Sequence, residues 1–447
     1  MKGEEEMLNV WRSLLRSLWL AGSIERMAVD KGEPCVSQFQ QTPSKTSFLE
    51  IITSVGLMLD LEPNSTPLYH SWRTAVVGHA LAERLAPDDV PNVFLACLLA
   101  DCGGIGFRRH ITHELSDHPT IQSQKSEIHL FFHPVTGSES IRRIPGLRRV
   151  AHLIRQHHEC LNGSGYPEGL KGEKIEVAAQ ILRLADQFDM TLRTDQPENE
   201  KELIQVLHLF SGEDFRPEFL EALESLLEGT LPFGRLMLPE KVEQDIKGIV
   251  TSLARNESFF FDEDWTAVLG GIGELIDTRN SFYSRNHASR VAEVADRMAE
   301  RMGLGLEERK NIHFAACLQN MGEVALRHTL LAKSGRLEEK ERQLIRSHPT
   351  TGFELISRVS GMEEVARAIL HHHENWDGSG YPEGLSMKQI PVVARVIRVA
   401  DAFDAMTSDR PYHRRKEWKK ALSEIRRQAG RQFDPEVVSV AVDVLSA

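Results

Sequence analysis

HHECLNGSGYPEGL, from His157 to Leu170, returns as HHENWDGSGYPEGL, from His372 to Leu385, 215 residues further along the chain. The correspondence continues downstream, where ILRLADQFD, ending at Asp189, answers VIRVADAFD, ending at Asp404. Near the tail of each copy EDFRPEFL, ending at Leu220, parallels RQFDPEVV, ending at Val438. Upstream, His133-Pro134-Val-Thr-Gly matches His348-Pro349-Thr-Thr-Gly at the same offset, and His70-Ser-Trp-Arg matches His287-Ala-Ser-Arg at an offset of 217. A period this long is a duplicated domain, not a short solenoid repeat. The copies are expected at 45–228 and 261–447, with 1–44 ahead of them and 229–260 between.

Within each copy the apolar spacing is helical. Val291, Val294, Ala295 and Met298 fall on one face of a stretch that ends at Gly303, the pattern of an amphipathic helix with a glycine stop. No stretch sustains a period of two, so the expected class is all-α: two tandem helical-bundle modules. The join opens with Gly229, Pro232 and Gly234 and continues as a helical run from Glu240 to Arg255, which reads as a helical linker. At the N-terminus, Trp11, Leu14, Leu15, Leu18 and Trp19 also follow helical spacing. Glu4, Glu5 and Glu6 stand where a secretory leader would be basic, and Arg12 and Arg16 interrupt the apolar run, so this is expected to be an amphipathic helix packed on the body or on a partner chain.

The 447 residues carry 53 Lys and Arg against 65 Asp and Glu, a net charge of −12. That balance argues against an extended DNA-binding face. Hydrophobic residues at 41% and charged residues at 26% suit an ordinary globular protein. Cys35, Cys97, Cys102, Cys160 and Cys317 are odd in number and include no CxxC pair. A disulfide framework and thiolate zinc sites are therefore not expected, and a cytoplasmic, reducing setting is.

Histidines and carboxylates recur at matching places: His70, Asp101, His133, His157, His158 and Asp186 in the first copy, His287, His348, His372, His373 and Asp401 in the second. Any one of them reads most simply as a hydrogen-bonded core residue. The whole set, repeated beside the same glycine loop, reads as inward-pointing ligands of a metal in a helical bundle. Imidazole with carboxylate suits Fe, Mn or Zn. In the loop, Gly163 and Gly165, like Gly378 and Gly380, permit positive φ and close backbone approach, while Tyr166-Pro167 and Tyr381-Pro382 add a stacking ring and a rigid bend.

The motif HHExxDGSGYPxGL, followed by ADxFDAMTSDRPY, resembles the HD-GYP family of HD-domain metal-dependent phosphohydrolases, and the resemblance covers both copies. It implies an all-helical fold, an iron or manganese centre of two or three ions, and hydrolysis of cyclic dinucleotides, chiefly cyclic di-GMP, in bacterial signalling. It further implies His70, Asp101 and Asp186 at a first metal, and Asp101, His133, His157 and His158 at a second. In the second copy it implies His287 and Asp401 at the first metal and His348, His372 and His373 at the second.

Both copies depart from that pattern. The family's LLHDIGK reads LLADCGG in the first copy, with Ala100 before Asp101, and CLQNMGE in the second, with Gln319 and Asn320. Ala100 removes one ligand and leaves the bridging carboxylate. Asn320 removes the negative charge that would hold two cations together, so the second copy is expected to hydrolyse little. On a helix Glu323 would share the face of Gln319 and Asn320 and could offer a carboxylate, although an exposed glutamate is the simpler reading. Gly104 stands at the equivalent place in the first copy, with His110 and His113 beyond it. The second copy keeps Asp377, Lys333, Arg410, Pro411 and Tyr412, which resemble the family's loop and phosphate-contacting features, where the first has Asn162 and Asp195-Gln196-Pro197. Two functions follow as expectations: a regulatory or scaffold protein of cyclic-dinucleotide signalling that presents its loops to partners such as GGDEF domains, or a phosphodiesterase acting through the first module with Asp101 at its centre.

Overall fold

A computed structural model describes residues 44–61, 69–104, 124–256, 264–279, 286–326, 328–331, 333, 335–408 and 415–446. The N-terminal amphipathic helix, His110, His113 and Arg410 lie outside them. Among the described residues the chain is helical, with no strand and only isolated bridges.

The first half contains α1 (Lys45–Leu59), α2 (His70–Leu85), α3 (Val90–Leu99), a 3-10 turn over Ala100–Gly104, α4 (Gln124–Ile141), α5 (Arg148–Gln156), α6 (Val177–Thr194), α7 (Glu200–Leu207) and α8 (Pro217–Glu228). α9 (Pro239–Arg255) occupies the join. The second half repeats the order with α10 (Trp265–Arg279), α11 (His287–Arg301), α12 (Leu306–Leu318), a 3-10 turn over Met321–Ala325, α13 (Glu339–Arg346), α14 (His348–Ile356), α15 (Glu363–His371), α16 (Val392–Thr407), α17 (Trp418–Arg427) and α18 (Pro435–Ser446).

Local sequence explains how the helices that open with His70 and His287 start. Tyr69 and Asn286 adopt left-handed φ values of 57° and 65°, which turn the chain sharply so that His70 and His287 open α2 and α11. Neither residue caps its own helix. A carboxylate from the preceding helix does so: Asp60 accepts from the Ser71 N–H at 2.9 Å, and Asp277 accepts from the Ala288 N–H at 2.8 Å. An anion at a helix N-terminus meets otherwise orphaned N–H groups. Burial nevertheless raises both carboxyls to about 6, above their ordinary value.

The two halves share one hydrophobic core. α1 packs on the 3-10 turn Met321–Ala325 and on α14 of the other half, while α10 packs on α4. The Ser47 and Ser54 hydroxyls donate to the Ser360 and Leu355 carbonyls at 3.0 and 3.2 Å, and Phe48 meets Trp265 edge-on at 6.0 Å. α9 lays Val242, Ile246, Val250 and Leu253 into the core and packs on α1 and α2. The helix at the join is therefore part of the packed body of the first half.

Candidate metal centres

The 3-10 turn Ala100–Gly104 brings Asp101 beside α4 because Gly103 has no side chain. A Cβ there would sit 2.0 Å from the His133 carbonyl oxygen. Gly322 has the same role in the second half, 2.0 Å from the His348 carbonyl oxygen. The turn and the histidine-bearing helix thus touch backbone to backbone, and the residue two positions before each of these glycines, Asp101 or Asn320, is buried beside that contact.

In the first half all six expected residues converge and are buried. Asp101 stands between two groups. Its Oδ2 lies 3.2 Å from His70 Nε2, and its Oδ1 lies 3.8 Å from His133 Nε2. Asp186 Oδ1 is 3.6 Å from the same His70 nitrogen. On the other side, His133 Nε2 lies 3.1 Å from both His157 Nε2 and His158 Nε2.

Hydrogen bonds fix which ring nitrogen is available. A carbonyl only accepts, so the His157 Nδ1–H donates to the Ile154 carbonyl at 2.5 Å and leaves its Nε2 lone pair pointing inward. The His70 Nδ1–H donates to Asp189 Oδ2 at 2.7 Å, which turns its Nε2 inward toward Asp101. Burial, followed by the neighbouring His133, pushes His157 down to about 3; His158 is also held well below the ordinary value by burial and by His157. His157 and His158, held neutral with their Nε2 atoms gathered around that of His133, form with the nearby carboxylates a donor set a cation would satisfy. The residues fit a metal. His158 meets this with one tension: its Nδ1 lies 3.4 Å from the Arg183 guanidinium, which only donates.

His70 behaves differently. Burial opposes its charge, but Asp189 and Asp101 outweigh that and push it up to about 10. Asp189 is held far below the carboxylate range by Arg73, Arg193 and His70 despite its burial. Asp189 and its counterpart Asp404, which accepts from the His287 Nδ1–H at 2.7 Å, orient the first histidine of each half. The sequence reading quotes both residues without giving them this part; their spacing, three residues after Asp186 and Asp401 on one helix face, is the signal.

The second half preserves the histidines and loses the centre. His348, His372 and His373 gather as their counterparts do, with His348 and His372 Nε2 atoms 3.3 Å apart and Nδ1–H groups donating to the Ile345 and Ile369 carbonyls. His287 Nε2 is 3.5 Å from Asp401 Oδ1. Asn320, buried at the start of the 3-10 turn, takes the place that Asp101 has in the first half. Gln319, 1% exposed, has neither amide atom hydrogen-bonded. Glu323 corrects the simpler sequence reading: it is 7% exposed, lies in a 3-10 turn instead of an α-helix, and its charge helps raise Tyr381 to about 12, behind burial.

The glycine loop closes over each cluster. Tyr166 stacks on His158 with ring centres 4.8 Å apart, and Tyr381 stacks on His373 at 5.0 Å. The two glycines divide the work: Gly163 and Gly378 take φ of 86° and 81°, while a Cβ on Gly165 or Gly380 would lie 2.2 or 2.3 Å from a backbone nitrogen. Glu159 and Glu374, the glutamates after the paired histidines, accept from loop N–H groups of Glu168 and Leu170, and of Glu383 and Gly384. Asn162 and Asp377 each accept from the N–H two residues on, so that exchange leaves the turn unchanged. Lys333 lies exposed and pairs with Glu341 at 2.6 Å.

The profile of the HD-domain family matches residues 58–214 and 272–437, one stretch per half. The chain belongs to the HD-domain family. Both GSGYP segments fall within the matched stretches. The chain is 28% identical to the 3'3'-cGAMP-specific phosphodiesterase 3 of Vibrio cholerae over 67% of its length and 64% of that protein. It is 36% identical to a cyclic di-GMP phosphodiesterase of Thermotoga maritima, over 41% of its length and 50% of that protein. With a cyclic di-GMP phosphodiesterase response regulator of Xanthomonas campestris it shares 42% identity over 33% of its length and 40% of that protein. The chain thus spans less than two thirds of each of these relatives. A crystal structure of a cyclic GMP-AMP specific phosphodiesterase of Vibrio cholerae shares the fold, with a TM-score of 0.59 at 23% identity, covering 89% of this HD-domain chain and 97% of that one. No described helix is long and apolar enough to cross a membrane.

Proposed function

We propose that the protein binds a cyclic dinucleotide, cyclic di-GMP or 3'3'-cGAMP, and acts in bacterial signalling as a regulatory protein with impaired hydrolysis. One observation carries the reading: both halves keep a closed Tyr-His loop over a histidine cluster, while neither keeps the histidine before the central residue and one has an amide, Asn320, at the centre. Recognition surfaces are retained where the chemistry is depleted. The three phosphodiesterase relatives support the ligand class. Both loops are exposed enough to meet a protein partner such as a GGDEF domain, and the cysteines among the described residues, buried and unbridged, suit the cytoplasm.

In the first half His70, Asp101, His133, His157, His158 and Asp186 would hold the metal, iron or manganese by their nitrogen and oxygen donors. When bound, such an ion supplies Lewis-acid polarisation of a phosphoryl oxygen. Asp189 keeps His70 Nε2 aimed inward, the Ile154 carbonyl does so for His157 Nε2, and Tyr166 covers His158. The second reading, a phosphodiesterase acting through this half, is favoured by the position of Asp101 between the two ligand groups. Purified protein loaded anaerobically with Fe(II) or Mn(II) and assayed with cyclic di-GMP and 3'3'-cGAMP separates the two. Binding without turnover supports regulation. Turnover abolished by Asp101→Ala establishes the phosphodiesterase.

A further inference from the structure

At the mouth of the first loop one ring belongs to no core. Phe131 on α4 is 53% exposed, lies two residues before His133, and meets Tyr166 edge-on with ring centres 4.8 Å apart. Tyr166 in turn stacks on His158. A run of rings therefore leads from the histidine cluster to the surface. Single exposed apolar side chains are ordinary on protein surfaces; what sets Phe131 apart is that its ring touches the tyrosine stacked on the histidine cluster.

The second half has a different group at that place. Arg346, two residues before His348, holds its guanidinium carbon 5.3 Å from the centre of the Tyr381 ring. Two mouths built on the same loop thus present a neutral aromatic face in one case and a cation in the other.

We propose that Phe131 is the base-stacking platform of the first mouth: it takes a purine ring of the cyclic dinucleotide when the phosphodiester lies over the His133, His157 and His158 cluster. The inference rests on the ligand class proposed above. A nucleobase is a flat π surface flanking the phosphates, and aromatic side chains hold such surfaces with little regard to sequence. Tyr166, half-buried and stacked on His158, cannot offer its inner face to a base, whereas Phe131 is exposed. Arg346 makes the second mouth the more attractive for a phosphate or a carbonyl edge.

The test is equilibrium binding of cyclic di-GMP and 3'3'-cGAMP to the full-length, Mn(II)-loaded protein and to its F131A, F131W and R346A variants, with metal content measured on each. F131A is expected to bind about 5- to 150-fold more weakly, the range of one lost stacking contact. F131W is expected to keep affinity, and all four proteins are expected to keep wild-type metal content. Wild-type affinity in F131A overturns the proposal, as does loss of affinity in R346A with F131A unchanged. Failure of the wild-type protein to bind either nucleotide overturns the ligand class itself, a distinguishable result.

Discussion

At the scale of single residues, one carboxylate and one amide at equivalent positions set the two halves apart. Asp101 places an oxygen toward His70 and another toward His133, whereas its counterpart Asn320 carries no charge. Asp101→Asn should therefore lower the metal retained after dialysis, and Asn320→Asp should raise it, both read by metal analysis of purified protein. The helix-capping carboxyl Asp60 gives a pH signature. Its folded value of about 6 lies above the ordinary 3.8, so the folded protein binds the proton more tightly. Stability relative to Asp60→Asn should increase as pH falls from 7 through 6 toward about 4, by an amount on the order of 2–3 kcal/mol. Denaturant melts of chelator-treated protein at these pH values check the sign; a difference that shrinks on acidification contradicts it. The clustered histidines and carboxylates, the candidate ligands, were legible in the sequence because the repeat displayed them twice. The residues that aim them, Asp60, Asp189, Asp277 and Asp404, were not assigned, because a single carboxylate on a helix looks the same whether it caps, orients or is solvated.

At the scale of elements, the 3-10 turns and the glycine loops decide whether the site exists. Helical class and the position of each loop followed from apolar spacing and from the glycines. The turn that carries Asp101 did not, since a short apolar stretch ending in Gly103-Gly104 has no period of its own, and Glu323 was placed on the wrong kind of helix for that reason. Gly165 is where the loop has least tolerance: a Cβ would lie 2.2 Å from the Cys160 nitrogen and 2.4 Å from the His158 carbonyl oxygen. Gly165→Ala should destabilise the protein by about 2–3 kcal/mol and weaken metal retention, because the shifted backbone is that of a ligand histidine. Gly234, with open space around it, is the control, and its alanine variant should melt as wild type does. Equal melting of the two variants would show that the loop relaxes freely.

At the scale of the whole molecule, the two halves are stitched by exchanged contacts instead of hanging from a tether. α1 of the first half lies on the turn that carries Glu323, and Ile144 of the first half fills the space that a side chain on Gly271 would take. The sequence displayed the duplication but not this packing, because the apolar residues that face the other half are indistinguishable from those that face their own. Calorimetry of the full chain should give a single cooperative transition for the described body, and separately expressed halves should be less stable than the whole; two resolved transitions would mean that the halves fold independently. The central claim is that the first half is the metal-holding half, by virtue of Asp101. Anomalous diffraction from crystals of the protein loaded with Mn(II) tests it most directly. The predicted result is manganese among His133, His157, His158 and Asp101, with weaker or no signal at His348, His372 and His373. A strong pair of ions in the second half with an empty first half would contradict it.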